Sequence, residues 1–316
     1  VITSLVITAI SASDSVSAGV VTFGSGGNAF NMDFTTIGSP GNAADTMGDP
    51  NPAGAVSYTY QLGTYEVSED MVTKFNASQS LQITKDTRGV DKPATSVSWN
   101  EAARFVNWLN TSTGGVAAYK FTRGGGVDNI ALWSPGDLGY DAANQFRNSL
   151  ATYVLPSMDE WYKAAYYNPV SSTYFGWPNG SDFAPNAVAS GTDANTAVYD
   201  QPSTQGPADI TSAGGLSPFG IMGLGGNVFE WEETAFNLNN SSGSFNRGVR
   251  GGSWSSSPLV LSFLIRTGLP PTDEFNFVGF RVASLSSSAV AVPEPSSWVL
   301  SLMGLAGLWY RGRRRK

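Results

Sequence analysis

The sequence predicts a loop-rich α+β domain in which short strands alternate with a few helices. Three observations carry that expectation. Three amphipathic segments open on helix-capping residues, apolar runs of strand length lie between them, and 36 glycines and 17 prolines punctuate 316 residues. From Tyr58 to Ala283 nothing resembles a linker, so this stretch reads as one domain.

In chain order, Val1–Ile10 is apolar and runs into the small residues SASDSVSAG. It reads as the end of a signal-peptide apolar region with Val16-Ser17-Ala18 as cleavage site, and an edge strand is the alternative. With no initiating Met and no basic segment before it, the numbering is expected to start inside a longer precursor. Residues 1–18 are thus a signal remnant and residues 19–283 the domain. Ser57–Glu66 predicts a strand. Ser68 followed by Glu69-Asp70 predicts a helix start, with Met71, Val72 and Phe75 on one face. Ser98-Trp99-Asn100-Glu101 and Ser157-Met158-Asp159-Glu160 are capping-box patterns that open two more helices. Tyr166–Ser217 is rich in Gly, Pro, Asn, Asp and Ser, and so long a loop needs a function or a metal to order it. Val249–Trp254 and Val278–Ala283 predict strands. Residues 284–292 form a small polar linker, and residues 293–316 a terminal segment. In that segment thirteen nearly uncharged residues, Trp298–Tyr310, precede five basic residues among the last six. As a helix they span roughly 20 Å, a marginal membrane segment whose basic end should stay cytoplasmic.

The chain has no cysteine and no histidine. Thiol nucleophiles, disulfides, Cys/His zinc sites, imidazole-bound iron or copper and Ser-His-Asp triads are all excluded. Leaving out residues 1–18 and 293–316 removes five basic and two acidic residues, so the body carries 13 basic and 23 acidic side chains. A body this acidic argues against nucleic acid and is compatible with cations.

Read in order, LGTYEVSEDMVTKFN, KPATSVSWNEAARFVNWLN, LPSMDEWYKAAYY, SPFGIMGLGGNVFEWEE, RGVRGGSW and VGFRVAS resemble the successive motifs of the formylglycine-generating-enzyme (sulfatase-modifying factor) family. The resemblance implies a complex C-type-lectin-like α+β fold, with a small antiparallel core, flanking helices and long ordered loops. The tail, with Pro293-Glu294-Pro295, an apolar run and an Arg-rich end, resembles the PEP-CTERM sorting signal. That resemblance implies transient inner-membrane anchoring, processing by an exosortase-type protease, and release to the surface or matrix of a Gram-negative bacterium.

Each motif also has a structural explanation. Gly225-Gly226-Asn227 is a turn signal, Trp231 and Trp254 are core-fillers, and Arg250 and Arg281 tie carbonyls or carboxylates. In the family's active enzymes two cysteines after the Gly-Gly-Ser-Trp strand bind copper, and Ser256 and Leu261 stand at those positions here. Neither holds a soft metal, so no copper is expected. Ser256 has no evident base nearby in sequence. The resemblance leaves two structural calcium sites to consider. One uses backbone oxygens of Gly226 and Val228 with the Glu230 carboxylate, weakened because the family's Asn or Asp is Gly223. The other uses Asn195, Thr196, Asp209 and Thr211. Paired acids in FEWEET (Glu230, Glu232, Glu233) admit a glycosidase reading only with a second carboxylate from elsewhere. Tyr174, Phe175 and Trp177, with Tyr166 and Tyr167, offer an aromatic surface for sugars or proteins, although half of them should be loop anchors.

These observations favour an exported, non-catalytic family member that works as a surface or matrix binding protein, with exopolysaccharide or surface proteins as partners. An enzyme of the sulfatase-modifying type, or one with other chemistry in the same pocket, is the alternative. A calcium-dependent glycan-binding module is a further one.

Overall fold

Strand β1 (Ala18–Phe23) turns back into β2 (Phe30–Ile37), an antiparallel hairpin with Val21 opposite Met32. The computed structural model describes residues 18–124 and 127–285; the expected signal remnant up to Ser17 and the sorting tail lie outside the described residues. Ala18, expected at the cleavage site, is already part of the edge strand. Along β2, Phe30, Met32 and Phe34 are buried by the period-2 alternation of a strand with one core face. Strand β3 (Tyr60–Gly63) pairs with β2 and leads into α1 (Glu69–Asn76).

All three helix starts form as the capping residues require. The Ser68 hydroxyl accepts the Met71 N–H at the start of α1. Helix α2 (Trp99–Ser112) opens on a reciprocal box: Ser98 Oγ accepts from Glu101 N, and Glu101 Oε2 accepts from Ser98 N at 2.9 Å. A hairpin of β4 (Lys120–Gly124) and β5 (Val127–Ala131) follows, then β6 (Tyr153–Val154). Helix α3 (Met158–Tyr166) repeats the box with Ser157 and Glu160. The long loop region then contains two short pairings. One joins β7 (Tyr167–Asn168) to β8 (Thr173–Tyr174), the other joins β9 (Asn186–Ala187) to β10 (Thr196–Ala197).

The remaining strands are β11 (Phe229–Ala235), β12 (Arg247–Arg250), β13 (Thr267–Leu269), β14 (Val278–Gly279) and β15 (Ala283–Ser284). Two sheets result, ordered β1-β2-β3-β15-β6 and β13-β12-β11-β14. The first is antiparallel throughout, while β11 and β14 run parallel. The expected strand Val249–Trp254 stops at Arg250, because Gly251 and Gly252 take φ of 93° and 77° and turn the chain. The expected strand Val278–Ala283 divides: its first two residues join one sheet and its last residue the other, so one apolar run stitches the sheets together. Ser284, expected to open the linker, pairs with Gln61 and Tyr153 instead.

The core lies between these sheets and the helices. Trp99, Phe105, Trp161 and Trp231 are fully buried in it beside Phe34, Tyr60, Leu62 and Val282. Trp254 is buried in a smaller cluster with Val198, Ala208 and Val228. The class expected from the sequence, α+β with small sheets and few helices, is the one adopted.

Candidate functional site

Strand β11 buries Glu230, Glu232 and Glu233 completely, an arrangement that demands compensation for three carboxylates within four residues. The compensation is arginine. Arg281 grips Glu230 with two bonds, Nε to Oε2 at 2.6 Å and Nη2 to Oε1 at 2.5 Å, while Trp161 Nε1 adds a third at 2.7 Å. Glu232 is shared by Arg250 (2.8 Å) and Arg266 (2.7 Å). Arg147 bridges Glu233 and Glu160, and Tyr119 and Asn144 complete the shell of Glu233. Burial pushes the Glu160 carboxyl up, but the Arg147 charge and its hydrogen bonds outweigh this and hold it below the ordinary carboxylate range. The FEWEET acids are therefore internal counter-ions, with no free carboxylate offered to a glycoside.

The same bonds bear on the first calcium set. Both Glu230 oxygens, expected to meet a cation, accept hydrogen bonds from Arg281 and Trp161. Gly223 contributes no donor, and a Cβ there would meet the Glu66 carboxylate at 2.8–2.9 Å. Gly226 and Val228 serve the turn. Gly226 has φ of 79° and lies so close to Val198 that a Cβ would sit 2.2 Å from its carbonyl oxygen. Asn227 between them donates to Glu66 and accepts from Ala208 N.

The second set is likewise partly engaged within the protein. The Thr196 carbonyl accepts from Gly215 N, and Asp209 is ion-paired with Lys92 at 2.9 Å. Asn195 Oδ1 accepts weakly from Asn179, and Thr211 is exposed. Among the described residues no three His, Cys, Asp or Glu converge on one point.

Ser256 and Leu261 do come together. A Cβ on Gly252 would lie 2.9 Å from Leu261 Cδ1 and 3.4 Å from Ser256 Cβ, so the two side chains flank one glycine. Leu261 is fully buried. Ser256 Oγ accepts from Ser253 N at 2.9 Å and lies 3.2 Å from the Ser253 hydroxyl. No titratable side chain bonds to it among the described residues, so it has no base. An aliphatic side chain and an aliphatic hydroxyl do not fit copper, which wants thiolate or imidazole.

Beside this segment lies a groove of about 550 Å³. Its walls come from the 43–47 loop, β8 with the turn after it, and Phe263, two residues beyond the 3-10 turn Pro258–Leu261. Several bonds hold these walls together. Phe263 N donates to Gly176 O, Asp49 N to Phe263 O, and Trp177 Nε1 to Pro258 O. The Tyr174 hydroxyl is fixed by Asn42 at 2.7 Å and by the Gly54 carbonyl at 2.9 Å. Of the three aromatics expected at a ligand surface, Tyr174 and Trp177 line the groove and Phe175 does not. Tyr166 and Tyr167 are buried anchors, with Tyr166 donating to Leu261 O. Phe263, Asp45 and Asp182 were not foreseen as lining residues. Asp45 and Phe263 reach the groove from segments more than 80 residues away on either side of the aromatic run, whereas Asp182 follows Trp177 by five positions, and no local pattern marks any of the three.

The chain matches the sulfatase-modifying factor enzyme 1-like domain over residues 27–285. Among solved structures it is similar to Treponema denticola variable protein 1, at 21% identity and a TM-score of 0.58, covering 84% of this chain and 98% of that one. It is also similar to CarF (19%, TM-score 0.56, 80% and 98% covered) and to PvdO from Pseudomonas aeruginosa (17%, 0.51, 84% and 97%). No curated protein matches it. At these identities the structures speak for the fold, and the family match covers most of the chain: it belongs to the sulfatase-modifying factor enzyme 1-like domain family.

Proposed function

We propose that this protein is a non-catalytic binding member of its family, exported and displayed at the cell surface or in the extracellular matrix. One observation carries the first part. The two positions that hold the metal-binding thiols in the active enzymes are Ser256 and Leu261, side by side at Gly252, one paired only with Ser253 and the other buried. Neither offers a redox metal a ligand it wants, and Ser256 lacks a base to make it a nucleophile. The aromatic groove next to them is the surface we assign to partners.

Export rests on the sequence. Pro293-Glu294-Pro295, the apolar run and the basic end support handling by an exosortase-type protease, and the apolar start supports secretion. Exopolysaccharide or surface proteins are then the partners within reach.

The experiment is twofold. The full chain, supplied with copper and a cysteine-containing sulfatase peptide, should show no oxidation above a copper-only blank; turnover would overturn the non-catalytic reading. Immobilised exopolysaccharide of the producing bacterium should retain the chain. Flow-through equal to that of a neutral agarose control would count against a matrix role.

A further inference from the structure

We infer that the groove selects an amine-bearing, cationic polysaccharide, of the free glucosamine type, over acetylated and acidic ones. This inference rests on the binding reading above and goes further by naming the ligand's chemistry.

The first argument is charge. Asp45 and Asp182 line the groove, and no lysine, arginine or histidine does. Their donors are all neutral. Asp45 accepts from the Tyr162 hydroxyl at 2.5 Å and the Met47 amide at 2.9 Å, and Asp182 accepts from the Gly176 amide at 3.0 Å. Arg250 lies under Tyr162 but is committed to Glu232 in the interior. Lys163, on the same helix, gives its ammonium to the Ser39 carbonyl. Asp45 is buried and both its oxygens accept bonds, so it acts through its field, and the exposed Asp182 is the carboxylate an ammonium meets; with no cation lining it, the groove repels uronate, sulfate and phosphate and attracts ammonium. The wider body, with 13 basic against 23 acidic residues, reinforces the preference at longer range.

The second argument is the shape of the partner groups. Trp177, Tyr174 and Phe263 line the groove, and aromatic rings accept the apolar side of a pyranose and, through their quadrupoles, an ammonium group. Thr46, Ser172 and Thr173 supply hydroxyls that both donate and accept, as sugar hydroxyls do. A volume of about 550 Å³ lies in the range of small-ligand sites.

The third argument separates sugar from peptide. Peptides that bind in an extended form need unpaired backbone groups on the receptor. Along these walls the amides of Asp45, Met47, Gly176, Trp177 and Phe263 are already donated, to Ala53, Asp45, Asp182, Ser181 and Gly176 in turn. Those five amides are closed to a strand laid along the groove.

The test is calorimetric titration of the full chain at pH 6 with glucosamine hexamer, its fully N-acetylated counterpart, an oligogalacturonate and a lysine hexapeptide. The expected result is binding of the glucosamine hexamer at least tenfold tighter than any of the others, weakening with added salt. Asp182→Asn and Trp177→Ala should each lower that affinity tenfold or more, with Trp177→Tyr retaining most of it as the folded control. Equal or tighter binding of the acetylated or uronate oligomer overturns the cationic class but leaves the groove as a binding surface. Tighter binding of the lysine peptide overturns the sugar assignment. Affinity unchanged in both Asp182→Asn and Trp177→Ala places the site elsewhere and overturns the inference. Failure of the native chain to bind any of the four defeats both this inference and the assignment of the groove to partners.

Discussion

Arg281→Met should be among the most damaging single changes in this protein, although Arg281 touches no ligand. Its guanidinium holds Glu230 with two bonds and also donates to the carbonyls of Gly63 and Met222, at 2.8 and 2.9 Å. It thus ties β3, the turn before Asn227 and β11 at one fully buried point. Removing it leaves the Glu230 carboxylate buried with one neutral donor, Trp161. Breaking a buried pair from one side costs about 3–5 kcal/mol, and two carbonyls lose charged donors at about 1 kcal/mol or more apiece. The expected loss is about 5 kcal/mol, against a total stability of about 5–15 kcal/mol for a domain. Glu230→Gln should cost less, since the amide still meets Trp161 and part of Arg281. The double variant should cost at least about 2 kcal/mol less than the sum of the singles, because it removes both charges together. Urea unfolding followed by tryptophan fluorescence reads this as a shift in midpoint at constant slope. An Arg281→Met loss under about 1 kcal/mol, or strict additivity in the cycle, would refute the argument that these buried charges hold the two sheets together.

Two further predictions concern the turn and the acid beside it. Gly226→Ala should destabilise by about 3 kcal/mol or more, because the added carbon would sit 2.2 Å from the Val198 carbonyl oxygen in a left-handed backbone. Gly220→Ala, also left-handed but in open space, should cost only about 1–2 kcal/mol, and equal losses in thermal melts would count against the contact. Glu66 is pushed up from 4.5 to about 8, first by burial and then by Glu230, with Arg281 pulling the other way. The folded chain therefore holds that proton more tightly than the unfolded one, so the group's contribution is fullest below about pH 4.5 and declines as pH rises toward 8. Relative to Glu66→Gln, the native chain should lose stability across that window; parallel pH profiles of the urea midpoints would contradict it.

Local chemistry accounts for what could be seen in advance. Ser68, Ser98 and Ser157 mark their helices because a cap acts within three residues of itself, and each forms the bond its spacing requires. Trp231, Trp254, Arg250 and Arg281 had structural roles readable from their types and surroundings, and they fill those roles. Convergence of Ser256 and Leu261 was likewise implied by where the thiols sit in the resemblance, and Gly252 brings them together. Strand ends were less legible. Val278–Ala283 reads as one strand because periodicity reports apolarity, while the division between two sheets depends on partners elsewhere in the chain.

Composition and nearest neighbours are sufficient for the class of fold, the helix starts and the lack of thiol and imidazole ligands. What surrounds the acids depends on contacts between distant segments. From sequence Glu230 reads equally as a calcium ligand, a glycosidase acid or a counter-ion, and folding sets Arg281, 51 positions away, against it. The groove is the same case. Tyr174 and Trp177 stand out locally, but Asp45 and Phe263 come to the same wall only through folding. A carboxylate's function is set by the charges and donors within a few ångströms of it, and those distances are fixed by the whole chain.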